Sequence, residues 1–258
     1  MLIDIKSIVE LAQKAGKATL EIYKQDFDFE IKGDNSPLTL ADKKSNEVII
    51  EGLLTLYPEI PIISEENKLL DFSIRKNWTY CWLVDPLDGT KEFIKKNGEF
   101  TVNIALIHNG QPILGVVDVP VKNKTYYAQK GLGAFLVENG EERKIEIRSL
   151  ATTNFLNIVG SRSHSTPELE AYVEKQKEKF ETVNFVPAGS SLKFCLIAEG
   201  LADVYPRLGP TMEWDTAAGQ SVAMEAGAEV LIYETGEPLT YNREDLLNPN
   251  FIVKNPLL

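Results

Sequence analysis

Histidine and cysteine are almost missing from this 258-residue chain, which holds two of each: His108, His164, Cys81 and Cys195. No Cys-x-x-Cys pair is present, so a zinc site of the usual nitrogen and sulfur type is disfavoured and any metal should be bound by oxygen. Basic residues are also short: 27 Lys and Arg face 38 Asp and Glu, a formal net charge of -11. That balance repels polyanions, and no arginine-rich tract offers a track for a phosphate backbone, which argues against a nucleic-acid polymer as partner. A small phosphorylated molecule is compatible with it if the site carries its own cations. No apolar run reaches membrane-spanning length, and Met1-Leu2-Ile3-Asp4-Ile5-Lys6 lacks the basic and apolar regions of a secretory signal, so no integral membrane association is expected. Both cysteines sit in apolar sequence, as buried thiols in a reducing compartment do. The location therefore reads as cytoplasmic, with peripheral contact at the inner membrane left open.

What is present suffices for a sizeable core, since 43% of the residues are hydrophobic. Ile5, Ile8, Val9, Ala12, Ala15 and Leu20 recur at helical spacing, and a second amphipathic stretch covers 42–56. Strand-like runs follow at 61–63, 81–84, 101–107, 112–119, 125–128 and 144–147, suggesting a largely antiparallel sheet with helices on one side. After about Leu150 the pattern alternates: strands at 156–159, 183–186 and 202–205, helices at 167–180 and 191–199, and a helix from Asp215 to about Gly227. The expected division is an α+β part over 1–150 and an α/β part over 151–258, tightly packed because no linker or repeat separates them.

The chemistry concentrates where apolar runs end in acids. Trp82-Leu83-Val84 leads directly into Asp85-Pro86-Leu87-Asp88-Gly89-Thr90, which places two carboxylates near each other across a turn. Two close carboxylates repel each other unless they share protons or a cation, and hard divalent cations take carboxylate and carbonyl oxygens, the Leu87 carbonyl included. Glu65-Glu66 ends the run from Ile60 to Ser64, and Asp215 follows Trp214 ahead of the small residues Thr216-Ala217-Ala218-Gly219. Taken singly, these are an ordinary turn, a solvated strand end and a helix cap. Their joint occurrence is harder to set aside.

Those three segments resemble the signatures of the lithium-sensitive inositol monophosphatase superfamily of magnesium phosphatases, and the likeness continues through Asp34 to Asp42. Lys91-Glu92-Phe93, the run from Asn97 to Asn103, and the run from Gly189 to Cys195 look like its 3'(2'),5'-bisphosphate nucleotidase branch of bacterial type. The resemblance implies a layered α/β/α/β/α sandwich of the sugar-phosphatase type. It also implies two magnesium ions with room for a third: Glu65, Asp85 and the Leu87 carbonyl on one, and Asp85, Asp88 and Asp215 on the other. Asp42 and Thr90 would prepare the attacking water, with Glu65 serving beside them, and the amides of Gly89 and Thr90 would grip the phosphate.

Substrate choice is expected from Ser190, Ser191, Lys193 and Arg207, which suit a second, uncut phosphate, and from His164 near the nucleotide. The implied reaction is removal of the 3'-phosphate of adenosine 3',5'-bisphosphate to give AMP, with 3'-phosphoadenylyl sulfate as a further substrate, within sulfur metabolism. The protein would act as a monomer or a homodimer. Rival readings are an inositol monophosphatase or sugar bisphosphatase with the same metal chemistry, a non-catalytic nucleotide- or metal-binding protein, and a two-metal exonuclease. The last is weakened by the absence of a basic, aromatic-lined groove.

Overall fold

The computed structural model describes residues 3–24, 30–31, 37–38, 40–150, 153–161 and 166–258. In chain order these form α1 (Ile5–Tyr23), the antiparallel pair β1 (Glu30–Ile31) and β2 (Pro37–Leu38), α2 (Leu40–Leu56), β3 (Ile62–Ser64), α3 (Phe72–Arg75), β4 (Tyr80–Asp88) and α4 (Thr90–Ile94). Next come β5 (Thr101–His108), β6 (Gln111–Val119), β7 (Lys124–Gln129), β8 (Gly133–Glu138) and β9 (Glu141–Ile145). The remainder is β10 (Phe155–Gly160), α5 (Pro167–Lys177), β11 (Thr182–Pro187), α6 (Leu192–Ala198), β12 (Val204–Arg207), α7 (Glu213–Glu225), β13 (Glu229–Ile232) and β14 (Phe251–Lys254).

Strands β3 to β9 make a seven-stranded sheet in sequence order, antiparallel except for the β3–β4 pair. Side-chain alternation sorts its residues onto two apolar faces. Trp82, Val84, Val102, Ile104, Leu106 and Val116 meet the buried faces of α1 and α2, including Ile8, Val9, Ala12, Ala15, Ile49 and Leu53. Cys81, Leu83, Ala105, Ile107, Val117 and Val119 meet α6 and α7 on the other side. The expectation of helices on one side of this sheet is therefore wrong. The second face needed a cover as much as the first, and the cover comes from helices about a hundred residues later in the chain.

A five-stranded sheet, ordered β11-β10-β12-β14-β13, lies beyond α6 and α7. Its inner face gives Val159, Tyr205, Phe251 and Val253 to the same core as those helices. Its outer face, with Leu156, Ile158 and Val204, packs on Tyr172 and Val173 of α5. The molecule is thus layered helix, sheet, helix, sheet, helix, as the resemblance implied. The small residues of α7 do what their size suggests: a Cβ added to Gly115 of β6 would stand 2.4 Å from the Ala218 carbonyl oxygen, so α7 rests directly on the sheet backbone.

Several boundaries differ from the sequence reading. Strand β4 runs through Asp88 instead of ending before the acids, and α7 starts at Glu213, two residues ahead of Asp215. The strand expected at 144–147 lies at Glu141–Ile145, and the helix expected to reach 180 ends at Lys177. Strands β8, β13 and β14 were not foreseen. The expected glycine stop after α7 is present: Gly227 has φ 104, its amide donates to Met224 O, and the Ala228 amide donates to Ala223 O, the paired bonds of a Schellman ending.

Candidate active site

The centre begins with an irregularity in β4. Asp85 pairs with Asn103 and Asp88 with Thr101, so a three-residue step on β4 faces a two-residue step on β5. In a regular strand residues 85 and 88 would point to opposite faces, and one extra residue brings them to the same face. The bulge is pinned from both sides. The Leu87 amide donates to Asp85 Oδ1 at 3.0 Å, and the buried Ser45 hydroxyl of α2 donates to the Pro86 carbonyl at 2.7 Å. Gly89 then adopts φ 94, a left-handed conformation that β-carbons disfavour, and caps α4, which Thr90 opens.

The other acids converge on this bulge. The Glu65 amide donates to the Val84 carbonyl at 3.2 Å, setting the β3 end beside Asp85 while its side chain stays exposed. Asp42, 4% exposed, comes from α2. Asp215 comes from the first turn of α7, where its Oδ2 accepts the Met212 amide at 2.9 Å, a bond that fixes its rotamer at the helix start. Burial, followed by the charges of Glu65, Asp88, Asp215 and Asp42, holds the Asp85 carboxyl well above the usual carboxylate range. Asp215 is raised well above it too, by burial and then by Asp88. Acids that raise one another in this way form a centre that gains from positive charge, whether protons or a cation. Their oxygen-only donor set is of the kind that suits a hard divalent ion. Among the described residues, no group of three or more His, Cys, Asp or Glu already stands as a ready chelate.

Beside the acids lies a cavity of about 150 Å³, lined by Asp88, Asp215, Ser190, Ser191, Lys193 and Arg207 among others. Asp88 is a hinge between the two groups. Its Oδ2 accepts the Ser191 amide, and burial pushes its carboxyl up to about 6 although Lys193 pulls it down. Lys193 is only 5% exposed; burial brings it down to about 8, and the charge of Asp88 opposes this. The two ions favour each other's charged form, and burial outweighs the pairing at both. Lys193 Nζ donates to the Ser190 carbonyl at 2.5 Å and lies 5.4 Å from the Tyr205 ring centroid. Arg207 donates to the Pro210 carbonyl at 2.7 Å, and its Nε is buried without a hydrogen-bond partner. An orphaned buried donor at a cavity wall is one that an anion would satisfy. Lys193 is thus a buried cation and not the surface residue that its local sequence allowed.

Glu65, Asp42, Asp85, Asp88 and Asp215 act on one another, and Gly89, Ser190, Ser191, Lys193 and Arg207 line the adjoining cavity. His164 and most of the stretch from Asp34 to Thr39 lie outside the described residues. The sequence reading gave no role to Thr101, Asn103 and Glu99. The Ser191 hydroxyl donates to Asn103 Oδ1 at 2.7 Å and pairs with the Thr101 hydroxyl at 2.7 Å, so two residues of β5 hold the start of α6. Glu99 accepts the Gly189 amide through its carboxylate and the Ser190 hydroxyl through its carbonyl. Polar side chains at alternate positions of an apolar strand, Thr101 and Asn103, were the available signal.

Set against known proteins, the chain is 49% identical over 252 residues to the 3'(2'),5'-bisphosphate nucleotidase CysQ of Escherichia coli O6:H1 (strain CFT073), spanning 96% of this chain and 98% of that protein. The crystal structure of CysQ from Bacteroides thetaiotaomicron superposes with a TM-score of 0.86 at 45% identity, covering 97% of this chain and 96% of the other. The inositol monophosphatase of Thermotoga maritima shares the fold, with a TM-score of 0.77 at 24% identity over 97% of this chain and 91% of its own. The inositol monophosphatase family model matches residues 4–257, which takes in every acid of the centre. By sequence, by fold and by the acids that converge on one bulged strand, the chain belongs to the inositol monophosphatase family.

Proposed function

We propose that this protein is a 3'(2'),5'-bisphosphate nucleotidase that hydrolyses the 3'-phosphate of adenosine 3',5'-bisphosphate to AMP and phosphate, and that also accepts 3'-phosphoadenylyl sulfate. The observation that carries the reading is the shared cavity: carboxylates that raise one another's pKa on one side, and buried Lys193 with Arg207 on the other. A monophosphate needs the first half only. A bisphosphate uses both, one phosphoryl group at the acids and the other at the cations. The nearly half-identical nucleotidase relatives support the same substrate. The work belongs to sulfur metabolism in the cytoplasm, with the 1–150 part supplying most acids and the 151–258 part supplying Asp215 and the substrate contacts.

Two magnesium ions would suit the oxygen donors, one held by Glu65, Asp85 and the Leu87 carbonyl and the other by Asp85, Asp88 and Asp215, with Glu65 also able to hold a third. When bound, such ions lower the pKa of a water and offset charge on the leaving oxygen. The chain does the rest. Asp42 and Thr90 orient the attacking water and take its proton, the amides at Gly89 and Thr90 hold the phosphoryl oxygens, and Lys193 and Arg207 fix the uncut phosphate. No covalent intermediate and no histidine are required, since phosphoryl transfer asks chiefly for positioning and charge stabilisation.

The test is phosphate release from adenosine 3',5'-bisphosphate, inositol 1-phosphate and fructose 1,6-bisphosphate, in magnesium alone and with added lithium. Preferential, lithium-suppressed release from the first substrate is expected. Preference for inositol 1-phosphate or fructose 1,6-bisphosphate would replace the nucleotidase assignment, and no release from any of the three would remove the enzymatic one.

A further inference from the structure

A second cavity, of about 330 Å³, opens on the other face of the seven-stranded sheet, between α1 and strands β6 to β8. Asp118 of β6 forms its floor. Alternation places it with Val116 towards α1, whereas Asp85 and Asn103 point towards α7, so the sheet itself separates the two cavities. Asp118 is 5% exposed. Its Oδ1 accepts the Thr125 hydroxyl at 2.7 Å, and that hydroxyl accepts Gln13 Nε2 at 3.0 Å. Among the described residues no donor reaches Oδ2. Room for that oxygen exists only because position 16 is glycine: a Cβ there would stand 2.1 Å from it.

Burial pushes this carboxyl up to about 7, against the pull of Thr125 and Lys17, while Oδ2 keeps a little contact with solvent. Lys17, which lines the same cavity from α1, is exposed and has no ion-pair partner among the described residues. Leu20, Pro120 and Val137 give the cavity an apolar part of its wall, beside the polar side chains of Gln13, Asn123 and Thr125. A bare metal ion fits this poorly, because it needs six or more oxygens and would face the Lys17 charge. A plain anion fits poorly too, because Asp118 closes the floor. We propose that the cavity binds a small zwitterion of the α-amino acid type, its ammonium on Asp118, its carboxylate on Lys17 and its side chain against the apolar wall. Both charges are then answered by one molecule, which neither a simple amine nor a simple acid achieves.

Titration calorimetry with L-alanine and L-valine, beside the half-molecules ethylammonium and propionate, tests this at ligand concentrations up to about 10 mM, enough for a millimolar site. Saturable binding of an amino acid is expected, with each half-molecule weaker by at least about tenfold. Asp118→Asn should abolish it while circular dichroism and phosphate release stay unchanged, because the substitution is isosteric and lies on the face away from the acids. Lys17→Gln, at an exposed position that folding does not depend on, should weaken amino-acid binding and leave ethylammonium unaffected. Absence of amino-acid binding, binding that survives both substitutions, or ethylammonium binding as tight as the amino acid would each overturn the proposal.

Discussion

At the scale of single residues, Asp88 and Lys193 make the sharpest tests because they face each other across two functions. Asp88→Asn keeps the shape and the Ser191 amide contact but removes charge from the acid centre. Phosphate release should fall by about a thousandfold or more, with the far-ultraviolet circular dichroism unchanged. Lys193→Ala removes a charge-assisted contact, worth about 1.5–3 kcal/mol. The Michaelis constant should therefore rise on the order of tenfold or more for a bisphosphate and much less for a monophosphate; equal rises would take Lys193 out of the second-phosphate role. Asp118 gives a pH signature. The unfolded chain ionises it near 3.8 and the folded chain near about 7, so within that window the folded state keeps a proton that the unfolded state releases. Stability should fall as pH rises through the window and level off above it. Asp118→Asn should show a shallower fall, the remainder coming from Asp88 and Glu213, which burial raises to about 6 and about 7, and should be more stable than the parent at pH 8 by roughly 1–3 kcal/mol in urea unfolding.

At the scale of elements, the bulge and the helix seat decide the geometry. Gly115→Val would drive a branched side chain into the Ala218 carbonyl, which lies too close even for a Cβ. A loss of about 3 kcal/mol or more is expected in urea unfolding. Residual activity should drop further than stability does, because α7 carries Asp215. These contacts also mark the limit of what the sequence disclosed. Asp85, Asp88 and Glu65 were legible because they follow apolar runs, Asp215 because it follows Trp214 ahead of the small residues 216–219, and the helical stripe of α1 was legible from its spacing. The bulge was not, since nothing local in Asp85-Pro86-Leu87-Asp88 separates a turn from a strand with one extra residue; the pairing with Thr101 and Asn103 decides it. The grip of Thr101 and Asn103 on Ser191 spans 88 to 90 residues of sequence, so their alternation in an apolar strand marks them as unusual without naming the partner. Strands β13 and β14, four residues each, are too short to declare a period.

At the scale of the whole molecule, α6 and α7 serve two sheets at once, and a loop from 240 to 248 locks the start of α7 in place. Glu213, fully buried, accepts the amides of Asn242 and Arg243, and Asn248 Nδ2 donates to the Met212 carbonyl. Arg75 ties the same loop to α3, donating to Asn242 Oδ1 and to the carbonyls of Arg243 and Glu244. Arg75→Ala should cost about 2–4 kcal/mol, read as a lowered urea midpoint with the slope unchanged, because a buried side chain and its partly buried hydrogen bonds to Leu70, Asn242, Arg243 and Glu244 are lost together. The same arrangement governs when the protein can first work. Asp215 is seated by a helix start that the 240–248 loop holds, far along the chain from the acids of β4. Turnover therefore depends on contacts made by residues 240–248, and activity on dilution from urea should return with the docking of that loop.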